Sequence, residues 1–325
     1  MEIKYIITKR YYNAKVSFFH LVFEWEDIFK EMLHAKLCFD TEIKTLSRYL
    51  GWLFKVLPIG TREPSFVFEM TPHRQTDHRN RANIIPCIID FYLSSQYELD
   101  LFYQYYSKHK LILISSLEAY NFLKSKGCPL NVGHLPLSIS DKYRISISTT
   151  FKKTFDVLIM GRVNSVLKGW LDQYIEKRPE TSVVTCRIEN GHYNYYNQYH
   201  EFIGNADSRE GCIELMKKSK IGLYSTKGMD QDFEDAKGFA QVTPRFLEYI
   251  ATGNHIIARY RDNEDTDYYE IGKICPHTRN YEEFEEQMNN ARNKPVDIKL
   301  YADYLEKHYT SVRVKLLKDM LKDLQ

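Results

Sequence analysis

Apolar and polar positions along this 325-residue chain alternate between two periods, and the changes of period mark out its elements. Short continuous apolar runs at 65–70, 83–89, 111–115, 131–137, 155–160, 181–187, 220–225 and 256–260 read as buried strands, and 1–8 alternates loosely as a first strand. Helical spacing fills the intervals. It is found at 17–37 around Phe18, Val22, Trp25, Phe29 and Leu33, at 98–109, at 117–126 before Gly127, at 167–177, at 210–218, at 281–291 and over a long terminal stretch, 298–324. Strands alternating with helices imply parallel sheets with right-handed crossovers. The polar, Ser- and Thr-rich stretch 141–153 reads as a linker between a domain at 1–140 and a second at 154–297. The final helix, 298–325, is long enough to return to the first domain. Residues 190–199, with Gly191, His192 and four tyrosines, read as a loop or recognition insert.

The most informative stretch is 238–260. Thr243 suits a helix N-cap, Pro244 the first helical position, and Gly253 the left-handed residue that ends a helix. Phe246, Leu247, Ile250 and Ala251 form one apolar arc, which leaves Arg245 and Glu248 on the side not claimed by the core. A helix N-terminus with Arg245 beside it is a seat for phosphate, and Glu248 one turn deeper can accept hydroxyl hydrogen bonds. The plain alternative is a well-capped surface helix. At the end of the 155–160 strand, Gly161-Arg162 places backbone N–H groups and a cation at the sheet's carboxyl edge, where open α/β sheets bind ligands.

The segment Arg245-Phe-Leu-Glu248-Tyr-Ile-Ala-Thr-Gly253-Asn-His-Ile-Ile resembles the donor-binding segment of GT-B nucleotide-sugar glycosyltransferases, in particular the family-4/group-1 transferases of bacterial polysaccharide synthesis. Gly161-Arg162 with Lys168-Gly169, the sequence His200-Glu-Phe-Ile-Gly204, the strand ending in Ser225, and the run 112–127 followed by His134-Leu-Pro136 fall in the family's order. The resemblance covers about residues 83–291. It implies an α/β protein of GT-B architecture, two Rossmann-like domains with parallel sheets facing a central cleft. The first would bind the acceptor and the second the donor. On that pattern Arg162 and Lys168 grip the donor diphosphate, Phe202 and Gly204 lie near the base, and Ser225, Thr243, Pro244, Arg245 and Glu248 complete the donor site. For Lys168 an ordinary helix-surface lysine is the competing reading. Many members carry a Glu eight residues before the helix Glu, where this chain has Ala240. The acids Asp230, Asp232, Glu234 and Asp235, in the long loop before Thr243, are candidates to replace it, against the reading of a solvated acidic loop.

Glycosyl transfer needs cations for the leaving diphosphate, contacts that orient the donor and, for inversion, a base for the acceptor proton. Asp90, after the 83–89 strand, is the candidate base, with a structural acceptor or a helix cap as alternatives. His73, Arg74, His78, Arg79 and Arg81 form a cationic loop suited to an acceptor phosphate, as on a lipid-linked sugar. The implied reaction moves a hexose from a UDP- or GDP-sugar to a glycan or lipid-linked acceptor in surface polysaccharide synthesis, with no cofactor beyond the nucleotide sugar and no metal. A nucleotide-sugar epimerase and a non-catalytic nucleotide-sugar binder are the rivals on the same fold.

Composition narrows this further. Apolar residues at 43% with 27% charge describe a globular protein, and a net charge of +2 gives no electrostatic footprint for nucleic acid. Six scattered cysteines without paired spacing argue for reduced thiols, hence a cytoplasmic setting, and against zinc. No apolar run reaches membrane-spanning length. Residues 42–57 carry Lys44, Arg48 and Lys55 on one side of a helical wheel opposite an aromatic-rich face. That pattern fits a core helix whose lysines reach water, or peripheral contact with the inner face of the membrane.

Overall fold

The near-continuous apolar runs become strands buried on both faces, as parallel sheets require. The computed structural model describes residues 1–10, 19–39, 63–72 and 82–324. The chain forms two compact units, Met1–Asp141 with Thr310–Gln325, and Lys142–Tyr309. The stretch read as a linker thus lies, from Lys142 onward, in the second unit. The segments 42–57 and 73–81, and with the latter His73, Arg74, His78, Arg79 and Arg81, fall outside the described residues.

In the first unit, β1 (Tyr5–Thr8), β2 (Lys36–Phe39), β3 (Ser65–Glu69), β4 (Ile84–Ile88), β5 (Ile112–Ile114) and β6 (Val132–His134) form one sheet in the order β2-β1-β3-β4-β5-β6. Every pairing in it is parallel. Helix α1 (His20–Met32) stops short of the predicted Leu37. His34 takes φ 54, and the chain turns there into β2. Trp25 and Phe29 of α1 pack on Phe68 and Phe66 of β3, with ring centroids 5.5 and 5.0 Å apart. Helices α2 (Gln96–Tyr106) and α3 (Leu117–Ser125) start at Ser95 and Ser116, whose hydroxyls accept N–H bonds from Glu98 and Ala119.

In the second unit, β7 (Phe155–Leu158), β8 (Val183–Glu189), β9 (His192–Tyr196), β10 (Phe202–Asn205), β11 (Ser219–Ser225) and β12 (His255–Arg259) lie in the order β10-β9-β8-β7-β11-β12. Only the β8-β7-β11-β12 part is parallel. β8, β9 and β10 are antiparallel, so residues 190–191 turn a hairpin from β8 into β9 within the stretch 190–199, and residues 202–204 lie in strand β10. The reason is local: Asn190 and Gly191 both have positive φ (53 and 81), the backbone that a two-residue hairpin turn demands. Helices α4 (Ser165–Lys177), α5 (Arg209–Lys218), α6 (Pro244–Ala251), α7 (Glu264–Tyr268), α8 (Ile271–Ile274) and α9 (Tyr281–Asn293) complete the alternation. Leu167, Leu171 and Tyr174 of α4 share a core with Phe284 and Met288 of α9 and Val157, Ile221 and Ile257 of the sheet.

The single terminal helix expected over 298–325 is two, α10 (Ile298–Leu305) and α11 (Thr310–Lys322). Between them Tyr309 is fully buried in the second unit, its hydroxyl accepting the Ile145 N–H at 3.1 Å. One residue later Thr310 bonds to Ile139 of the first unit. The apolar faces of α10 and α11 belong to different cores, and that breaks the helix.

Candidate functional site

Sheet order places the ligand edge of the second unit. From β7 the chain runs to β8 on one side and later returns to β11 on the other, so the crevice opens between the carboxyl ends of β7 and β11. Gly161 (φ 71) and Arg162 follow β7, Ser225 closes β11 in register with Arg259, and α6 starts just after.

Helix α6 forms as its sequence requires, with Thr243 at the N-cap position, Pro244 first, and Gly253 (φ 65) beyond its end. Thr243 makes no side-chain cap; its N–H instead donates to the Tyr224 hydroxyl at 3.1 Å. Glu248 is 3% exposed, which corrects the expectation of an open polar side. Helix α5 covers that side. Its Arg209 donates to Glu248 Oε1 at 2.5 Å, while Arg245 lies 3.3 Å from Oε2. Burial pushes the Glu248 carboxyl up, but Arg209 and Arg245 outweigh it and hold the acid below its usual range. Arg245 is itself still partly open, its Nη1 3.0 Å from the sulfur of Met160, two residues before Arg162. Arg245 and Arg162 therefore bracket the same strand end.

Arg209 was not singled out from sequence. Its signal was there: a cation in the first turn of a helix opposes the helix dipole and has to be held by something else. Here Glu248 holds it.

The loop from Thr226 to Val242 is ordered by its acids. Asp230 (φ 55) accepts from Arg259 Nε and Nη2, both at 2.7 Å, and from Asn164 Nδ2 at 2.9 Å. The Arg259 bonds hold its carboxyl below the usual range. Asp232 caps α4 from outside, accepting from the Ser165 N–H at 2.7 Å and the Ser165 hydroxyl at 2.6 Å. Arg162 lies over the Phe233 ring, 4.6 Å from its centroid. Glu234 and Asp235 are exposed. The other face of this loop walls a cavity of about 800 Å³ lined by Asp230, Phe239, Arg261, Asp262, His277 and Arg279 among others.

Of the remaining expected residues, Lys168, Phe202 and Gly204 lie on α4 and β10 of the second unit and Asp90 lies in the first unit. Lys168 is ion-paired with Asp172 one turn along α4, its Nζ 2.6 Å from Oδ2. Phe202 is 59% exposed on the outer strand β10, edge-on to Tyr196. Gly204 packs so close to Leu215 that a Cβ would stand 2.9 Å from its Cδ2. In the first unit Asp90 follows β4, its N–H on the Met70 carbonyl at 2.7 Å and its Oδ1 accepting from the Tyr92 hydroxyl at 3.1 Å. The N-cap of α2 is Ser95, not Asp90. Among the described residues no group of three His, Cys, Asp or Glu side chains is placed to hold a metal, and no helix is long and apolar enough to cross a membrane.

No protein-family model matches this sequence, and no curated protein matches it. Solved structures do. A UDP-forming α,α-trehalose-phosphate synthase from Burkholderia xenovorans superimposes with a TM-score of 0.51 at 10% identity, covering 91% of this chain and 82% of that one. The fold is GT-B. Two further structures are similar at lower scores. One is the pneumococcal O-GlcNAc transferase GtfA in complex with UDP and GlcNAc, with a TM-score of 0.48 and 11% identity over 84% of this chain. This chain spans 59% of that transferase's length. The other is a putative UDP-N-acetylglucosamine 2-epimerase from Listeria monocytogenes, with a TM-score of 0.46 and 12% identity over 99% of this chain and 96% of that one. In GT-B terms the second unit carries the Gly-Arg strand end and the α6 helix.

Proposed function

We propose that this chain is a glycosyltransferase that takes a hexose from a UDP- or GDP-sugar and adds it to a glycan or lipid-linked acceptor, in the assembly of a surface polysaccharide. The observation that carries the reading is the Arg209–Glu248–Arg245 cluster beside the carboxyl end of β7, on a GT-B fold. A buried carboxylate holding two guanidiniums fixes cations before any substrate arrives, and preorganised charge is what a departing diphosphate needs. In this reading Arg162 and Arg245 take the phosphates at the N-terminus of α6. Glu248, enclosed between Arg209 and Arg245, sets Arg245 in place for the donor. Lys168 joins them by leaving Asp172, a surface pair worth little.

The test is a thermal-shift panel of UDP, GDP and their hexose conjugates on wild type, Arg162→Ala and Glu248→Gln. Ligand bound only to the folded state raises the melting temperature by mass action. The expected result is a rise with one nucleoside diphosphate, reduced in Arg162→Ala, followed by turnover of the matching nucleotide sugar with an acceptor. No rise with any member of the panel would sink the proposal. Binding without turnover would move the chain to the non-catalytic reading, in which Asp232 keeps the α4 N-terminus for itself.

A further inference from the structure

Neither Arg162 nor any residue of α6 lines the cavity of about 800 Å³ behind the 226–242 loop. Its walls come from that loop, from 260–262 after β12, and from Pro276, His277 and Arg279, all in the second unit. A space of this size takes a whole small molecule. Phe239 and Tyr260 give it aromatic walls, and the Tyr260 hydroxyl donates to the Cys275 carbonyl at 3.2 Å, which fixes that ring. Arg261 and Arg279, both exposed, add two guanidiniums.

His277 supplies a third donor. Its Nδ1 accepts the Tyr260 N–H at 3.1 Å, so the ring proton sits on Nε2, and among the described residues none is hydrogen-bonded to that nitrogen. Of the acids nearby, Asp230 is held by Arg259 and Asn164. Glu283 accepts the Arg279 N–H at 2.8 Å but stays 3.8 Å from the Arg279 guanidinium. Burial, then Arg259 and Arg279, push the His277 ring below its usual range, and the two arginines outweigh Asp262 and Glu283. The potential at the ring is therefore positive. We propose that this cavity binds an organic phosphate monoester. Arg261, Arg279 and the His277 Nε2–H each take one terminal phosphate oxygen, and the organic group lies against Phe239 and Tyr260.

Occupancy reaches Arg162 through Asp230, which walls the cavity and bonds Asn164. Asn164 caps α4, its Oδ1 accepting the Val166 and Leu167 N–H groups, both at 3.1 Å. Two residues beyond Asp230, Asp232 accepts from Ser165 with its carboxylate and from Arg162 Nη1, at 3.4 Å, with its carbonyl. A ligand that ties Arg261 and Arg279 to this loop holds Asp230 in place, and with it the α4 N-terminus. The site and this coupling do not rest on the transferase reading; an effect on donor binding does.

Two measurements on the full chain test this. The first is isothermal titration with phenyl phosphate, inorganic phosphate and benzoate, without nucleotide. Wild type is expected to bind phenyl phosphate, and Arg261→Ala and Arg279→Ala each to bind it about tenfold more weakly or worse. Both arginines are exposed, so both variants should fold. Arg162→Ala should bind it as wild type does, which separates this cavity from the edge beside β7. No saturable heat, or a loss in Arg162→Ala with affinity kept in the other two, overturns the site. Inorganic phosphate binding as tightly as phenyl phosphate overturns an organic ligand, and benzoate doing so overturns the phosphate. The second measurement is hydrogen exchange. Phenyl phosphate is expected to slow it along 228–231 and at the Ser165 amide in wild type and not in Arg279→Ala. Binding with the Ser165 amide unchanged overturns the coupling. A failed nucleotide panel beside phenyl phosphate binding that the two arginine variants weaken upholds the site and removes the transferase reading alone.

Discussion

At the scale of single residues, the charges that matter are those whose burial forces a partner on them. Glu248 has two. Replacing it with Gln leaves Arg209 and Arg245 close together without their countercharge, and loss of a buried partner of this kind costs about 3–5 kcal/mol. Urea unfolding of Glu248→Gln should show a loss of that size, whereas Arg162→Ala, at an exposed position, should unfold like wild type. Glu26 gives the opposite sign. Its folded value near 7 lies above the ordinary 4.5, so the folded state binds the extra proton, and stability is lost as pH rises between those values, by roughly 3 kcal/mol. Glu26→Gln should therefore unfold at higher urea than wild type at pH 8, and the gain should vanish near pH 4. Sequence placed Arg245 and Glu248 off the apolar arc of their helix. That Glu248 is covered followed from Arg209, 39 residues earlier in the chain, and no helical wheel contains that neighbour.

At the scale of elements, local chemistry was readable wherever a residue type has one backbone use. Pro244 and Gly253 bound α6 as expected. Gly253 is held twice over, by φ 65 and by Phe151, whose Cδ2 would lie 2.3 Å from an added Cβ. Gly253→Ala should lower stability by more than the ~1 kcal/mol of an ordinary helix-end glycine, as measured by denaturant midpoint. The Asn190-Gly191 pair carried the same kind of signal and defines the β8–β9 hairpin. The loop acids were not readable in this way, because their roles depend on α4. Asp232→Ala removes the outside cap of Ser165 and should cost about 1 kcal/mol. It should also speed hydrogen exchange at the Ser165 amide and along 228–235, while α9 stays protected.

At the scale of the whole molecule, the first unit is completed by the end of the chain. Arg313 of α11 donates to the carbonyls of Pro136 and Leu137 at 3.1 and 3.2 Å, and the Met1 amino group donates to the Leu321 carbonyl at 2.9 Å. Val314, Leu317 and Leu321 are buried. Ending the chain at Tyr309 should therefore raise exchange throughout β1, β3 and α1 while leaving β7, β11 and β12 protected, as read by peptide-level hydrogen exchange. Equal loosening of both units would contradict this division.

The sequence by itself determined the alternation of strand and helix, the parallel core of each sheet, the helix bounds at Pro244 and Gly253, and the place of Arg162 just after β7 and of Arg245 in the first turn of α6. Each of these rests on short-range physics: side-chain periodicity, the fixed φ of proline, the positive φ open to glycine. The tertiary structure decided which carboxylate meets which guanidinium, where the terminal helix breaks, and that Glu26 is enclosed. Those outcomes depend on desolvation and on neighbours supplied by distant parts of the chain, and a pattern read along one strand or helix does not contain them.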